Sequence, residues 1–238
     1  YRAPGTLNVI AHLEHNKGAF FPALGMREIV TALEGLVARC GVTVHAGEEV
    51  LSVVREGKDV SGVETAAGIM PASVIVTDVD VIPFYRKLMK EEGQARKQER
   101  QERSTSALIF YWAMNRRFEE LDLHNIFFSS DYPSEFRALR RGVVTTDPTV
   151  YLFTSSRAVP SDAPEGMDNW FVMINVPYDR GQAWSKVVSE VRENIIKKLS
   201  NRLGYNIKDE IGAQRVLAPP LIEKLTDSSR GALYGSTS

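Results

Sequence analysis

The sequence predicts an α+β fold: a mixed or antiparallel sheet with helices on one face, beside a smaller helix-and-meander unit. Three observations carry this. Four segments between residues 106 and 177 are rich in β-branched and aromatic residues and are bounded by Pro, Asp, Gly and Asn, the composition of strands. Residues 183–204 repeat Val188, Val191, Ile195, Leu199 and Leu203 at helical spacing. Residues 25–40 do the same on a shorter scale and run directly into strand-like segments.

In residues 25–40, Met26, Ile29, Val30, Leu33 and Val37 define one face expected to be buried, and Gly41 stands in the usual terminating position after Arg39. Residues 42–47, 49–56 and 60–65 read as strands, the last two joined by a hairpin turn at Gly57, Lys58 and Asp59. Residues 72–80 contain the continuous apolar run Val74 to Val76, which is expected of a strand covered on both faces. Residues 82–103 carry seven basic and four acidic side chains, with Phe84, Tyr85, Leu88 and Met89 gathered at the start. This composition predicts a helix whose charges face water, or alternatively an interfacial helix turned to anionic lipid. Strands are expected at 106–115, 125–131, 149–157 and 169–177, and the 183–204 helix crosses their sheet.

A chain of 238 residues fits one large domain or two small ones. Its 29 basic and 30 acidic residues nearly cancel, so no net field points to nucleic acid. Cys40 is the single cysteine; it excludes an internal disulfide and a multi-cysteine metal cluster, and fits a reducing compartment. Redox chemistry would therefore have to come from a bound cofactor. No apolar run reaches the roughly 18 residues of a spanning helix. The start at Tyr1 and the stop after "GALYGSTS" suggest an internal piece of a longer chain.

Candidate chemistry is sparse. His12 and His15 would share a helix face near Glu14, but a metal needs three or four converging ligands and the sequence places no third, so no metal is expected. His45 and His124 stand apart from them. The serines at 128–131 and 154–157 lack a Gly-x-Ser-x-Gly elbow, and there is neither a Gly-x-Gly-x-x-Gly nor a Gly-Lys-Ser/Thr loop. Asp131, Tyr132 and Arg157 are polar groups at strand ends that serve equally well as loop caps. The catalytic group stays unassigned.

The order of segments says more. Phe20, Phe21 and Pro22 form an aromatic-aromatic-Pro turn; Gly25 and Met26 lead into a helix; a strand follows with Glu49, Val50 and Val53. This stretch resembles the interior of the bacterial-type phytoene desaturases, flavoprotein carotenoid desaturases of the FAD-dependent amine-oxidase-like superfamily. Residues 60–81 resemble that family's next hairpin and the strand re-entering its flavin domain, with Thr77, Asp78, Val79 and Asp80 where Ser-Asn-Ala-Asp is usual. Residues 124–139, 147–177 and 231–238 look like later family segments in the expected order. The family's two Gly-rich flavin segments are absent, and Ala23 and Leu24 stand where a second glycine is common.

The resemblance implies a division into 1–20, a substrate-domain segment; 21–81, part of an FAD-binding, Rossmann-like domain; and 82–238, the substrate-binding domain. It implies that backbone groups at Val50 meet the adenine part of FAD, that Phe20, Phe21 and Met26 lie near a substrate tunnel mouth, and that this chain alone does not retain FAD. The implied activity is desaturation of phytoene or another carotenoid precursor by a cytoplasmic, peripherally membrane-associated enzyme. The alternatives are a non-catalytic isoprenoid-binding module and a related isomerase or saturase. Apolar edges left uncovered would favour self-association. A polyene offers no hydrogen-bonding groups, so its site must bury apolar surface at about 25 cal/mol per Å². Phe110, Tyr111, Trp112, Phe127, Phe128, Tyr151, Phe153, Trp170 and Phe171 are available, and strand alternation turns about half of them away.

Overall fold

The computed structural model describes residues 5–236; the ends of the resembling stretches, residues 1–4 and 237–238, lie outside them. The N-terminal unit begins with helices α1 (Asn8–Lys17) and α2 (Arg27–Arg39), joined by the turn that carries Phe20 and Phe21. Gly41 follows α2 at φ 70°, the left-handed conformation that ends a helix at little cost only for glycine. An antiparallel meander follows: β1 (Val50–Glu56), β2 (Asp59–Thr65) and β3 (Gly68–Pro71), with Gly57 in the tight turn as expected.

Three expectations for this unit fail, each for want of a partner. Residues 42–47 and 72–80 form no strand. A strand exists only where a neighbour completes its hydrogen-bond ladder, and the pairing with β2 ends at the Ala72 N–H, which donates to the Ser61 carbonyl. Val76, expected in a doubly covered strand, is 93% exposed. Helix α2 has the predicted amphipathic pattern but no buried residue; Ile29, Val30, Leu33 and Leu36 all face solvent.

Residues 82–103 are not one helix. They break into α3 (Val81–Pro83), a π-helical turn (Phe84–Leu88) and α4 (Glu92–Glu99), separated by Lys90 at φ 56°. Pro83 lacks the N–H of a regular turn, and the next bonds reach one residue further, from Met89 N–H to the Phe84 carbonyl. The charges face water as expected and pair with one another there. Arg86 binds Glu92 at 2.9 Å and Glu99 at 3.0 Å, Arg96 binds Glu92, and Arg55 of β1 binds Glu91 at 2.8 Å.

The main sheet is antiparallel throughout, in the order β5-β6-β7-β4-β8, built from β4 (Ser106–Met114), β5 (His124–Phe127), β6 (Val150–Phe153), β7 (Asp168–Val176) and β8 (Ile211–Leu217). Between β5 and β6 comes α5 (Tyr132–Arg140), capped by Asp131, which accepts from the Ser134 N–H. The long helix α6 (Trp184–Leu203) covers one face and ends at Gly204 in a left-handed conformation. Its Val191, Ile195 and Leu199 interlock with Leu108, Phe110 and Trp112 of β4, Leu152 of β6 and Trp170 and Val172 of β7. The short α7 (Ile207–Glu210) turns the chain into β8, and α8 (Pro219–Thr226) follows it.

One carboxylate ties the two units together. Asp80 accepts from the backbone N–H of Ile82 and of Ser229 and pairs with Arg103, itself buried, just before β4.

Candidate functional site: the open face of the sheet

Strand alternation sends every second side chain of the main sheet away from α6. Register aligns these into rows. One row runs His124, Phe153, Phe171, Tyr111, Arg215 across all five strands; the next runs Ile126, Tyr151, Met173, Ile109, Leu217. At about 4.8 Å per strand the rows span about 19 Å. Ring contacts knit them: Tyr111 and Phe171 lie 5.4 Å apart edge to face, Tyr151 and Phe171 6.1 Å, and His124 stacks 5.1 Å from Phe153. Beyond the first row, Asn169, Ala113 and Ala213 align. The two small alanines leave an open trough of about 510 Å³ walled by Tyr111, Phe153 and Phe171.

A buried network fixes one rim of the trough. Asp168, 2% exposed, accepts from the Phe118 N–H and the Ser156 hydroxyl and pairs with Arg157 at 3.1 Å. Asn169 donates to the Ser155 hydroxyl at 2.6 Å and accepts from the Ser156 N–H. These bonds hold the loop after β6 against the end of β7, so the trough is preformed rather than assembled around a ligand. At the opposite edge His124 Nδ1 lies 2.8 Å from the Tyr151 hydroxyl, and burial raises the pKa of that phenol.

Of the aromatics singled out in the sequence, Phe110, Trp112 and Trp170 serve the core, while Tyr111, Tyr151, Phe153 and Phe171 line the open face. Phe127 packs against the core and Phe128 stands exposed. Phe21 reaches the site: its ring lies 5.8 Å from Phe153. Gly25 sits beside it, within 3.8 Å of Val159 if given a Cβ. Phe20 is 89% exposed and Met26 57%, neither lining the trough. His12 and His15 lie on α1 with no buried neighbour in that helix. The alanine row and the Asn169–Ser155 rim are site features that residue types alone did not suggest; they emerge only once register is known.

Val50 opens β1, pairs with Thr65, and is followed by a bulge before Ser52. Because β1 is an edge strand, half its backbone N–H and C=O groups point away from β2. That edge leaves backbone groups near Val50 free to pair outside the sheet.

An antiparallel sheet with a helix on one face and an aromatic trough on the other, attached to a helix-and-meander unit, defines an α+β fold. An oxidoreductase of known structure from Methanosarcina mazei matches 81% of this chain and 42% of its own with a TM-score of 0.52, at 14% identity. No protein-family model matches the chain. A 1-hydroxycarotenoid 3,4-desaturase of Flavobacterium sp. (strain P99-3) is 41% identical over 239 residues, covering 100% of this chain and 49% of that protein. A 4,4'-diaponeurosporene oxygenase of Staphylococcus haemolyticus (strain JCSC1435) is 29% identical over 240 residues, covering 99% and 48%. Over essentially its whole length the chain is thus similar to carotenoid-modifying enzymes, one a desaturase and one an oxygenase. It spans about half the length of the curated relatives it matches.

Proposed function

We propose that this chain is the substrate-facing part of an FAD-dependent oxidoreductase that desaturates a long isoprenoid such as phytoene or another carotenoid precursor. The observation that carries this reading is the open face: two continuous rows of mainly apolar side chains about 19 Å long, with a trough over Ala113 and Ala213. Such a surface binds by removing apolar area from water and asks for no hydrogen bonds from its ligand. The names of the two relatives, both carotenoid-modifying enzymes, support the substrate class. FAD, when bound, would accept the hydride. The chain's residues would align the polyene, with Phe21, Phe20 and Met26 toward the tunnel mouth and Val50 toward the adenine.

In this reading the enzyme works at the cytoplasmic membrane surface as a peripheral protein. No helix among the described residues is long and apolar enough to cross a bilayer. The exposed face of α2 would be covered by another part of the enzyme, and the chain alone would self-associate through it.

The test is a conversion assay with the full-length protein, FAD and carotenoid precursors, read as new long-wavelength absorbance. Ala213→Leu, which fills the trough, should lower kcat/KM by about tenfold or more, since overpacking costs ~1–3 kcal/mol. An A213L enzyme as active as its parent would overturn the placement of the substrate. Polyene binding without any flavin-dependent turnover would instead favour a binding module.

A further inference from the structure

The exposed end of β5 and helix α5 carry aromatic rings that the core does not use. Phe128, Tyr132 and Phe136 stack edge to face in a line, with centroids 5.7 and 5.0 Å apart. Phe128 and Phe136 are 59% and 40% exposed, although α5 already buries Ala138 and Leu139. Basic hollows flank this ridge on both sides. Phe128 lines one of about 570 Å³ with Lys197 and Arg202, where Lys198 is already paired with Asp147; Phe136 lines one of about 410 Å³ with Arg103, Arg140 and Arg180.

The second hollow contains an unmet need. Arg103 is 4% exposed and one side of its guanidinium is held by Asp80, but its Nε and Nη1 have no acceptor. Buried donors left unpaired are costly, and the positive charge they carry favours an anion in the hollow beside them. Nearby carboxylates are engaged elsewhere or few: Asp147 is bound to Lys198 and Asp131 to Ser134, and Glu102 borders the second hollow.

Exposed rings flanked by long cationic side chains are how proteins seat themselves at a bilayer interface. We infer that Phe128 and Phe136 enter the headgroup boundary of an anionic membrane while the two basic hollows take lipid phosphates. This rests on the reading of a bilayer-borne isoprenoid substrate and deepens it by naming the docking face. Ile126 lies two residues before Phe128 and begins the second apolar row of the open face. A ligand leaving the bilayer at the ridge therefore meets the sheet directly. Arg86 and Arg96, earlier in the 82–103 stretch, are occupied by Glu92 and Glu99 and are not the lipid contact.

Vesicle co-sedimentation of the 238-residue chain tests this, using phosphatidylcholine alone and phosphatidylcholine mixed with phosphatidylglycerol. Binding should require phosphatidylglycerol and weaken with salt. Phe128→Ser with Phe136→Ser should lose about tenfold or more in affinity, and Phe136→Trp should keep it. Arg140→Gln and Arg180→Gln should each cost about fivefold on the anionic vesicles. Leu33→Ser, on the apolar face of α2, should bind like the parent chain. Ridge variants that bind normally, or an equal loss in Leu33→Ser, would overturn the docking face while leaving membrane association standing. Failure of the parent chain to bind any vesicle would remove both. Inorganic phosphate binding that Arg180→Gln abolishes, with vesicle binding intact, would assign the hollow to a free anion and overturn the proposal.

Discussion

Asp147 joins the loop before β6 to α6. Burial works against its ionisation, but hydrogen bonds from the Lys198 ammonium and from Ser130 prevail and hold its pKa at about 2, below the ordinary 3.8. The folded state thus binds fewer protons than the unfolded one in this range. The stabilisation is complete above the ordinary value and disappears as pH falls through about 2. Urea unfolding of Asp147→Asn should show lower stability at neutral pH and a flatter profile between pH 3.8 and 2. Parent and variant should converge at the acid end. A parallel offset at every pH would show that the carboxylate's charge contributes nothing.

Helix α6 holds the sheet's inner face, and its burial is graded. Leu199 is 0% exposed among the tryptophans' neighbours, while Val188 is only partly buried. Leu199→Ala should cost about 2–5 kcal/mol in denaturant unfolding, and Val188→Ala distinctly less. Equal losses would mean that the helix packs differently. This helix was legible because five apolar residues recur at its period and Gly204 ends it. Strands β4 and β7 were legible from their β-branched and aromatic content. Strand β8 was not, because "IGAQRVL" lies at an edge, pairs on one side, and mixes Gly212, Gln214 and Arg215 into its faces. Helix α5 was missed although Asp131 and Pro133 mark its start. Residues 72–80 misled in the other direction, since apolar content promises a strand only where a neighbour exists to pair with it. For the site, alternation foretold that half the strand aromatics would leave the core. Only register revealed which of them align with Ala113 and Ala213.

At the scale of the molecule, the surface is too large for its mass. A 26.6 kDa chain exposes 15656 Å², against roughly 10,700 Å² for a compact monomer of that size. The excess of roughly 5,000 Å² is that of an obligate interface. Much of the apolar part lies on α2 and around Val74 and Val76. Light scattering of the chain should therefore show concentration-dependent assembly, reduced by Leu33→Gln with Val30→Gln. A monomer at high concentration would mean that the helix tolerates water.

The Asp80 carboxylate, reaching residues 82, 103 and 229 at once, makes a hinge pin of a single side chain. It fastens the chain that leaves the meander to the approach to β4, the strand that carries Tyr111 and Ala113, and to the loop after α8. Losing that one carboxylate, as in Asp80→Ala, would therefore unfasten three stretches of chain at a stroke and leave a buried guanidinium with no counter-charge.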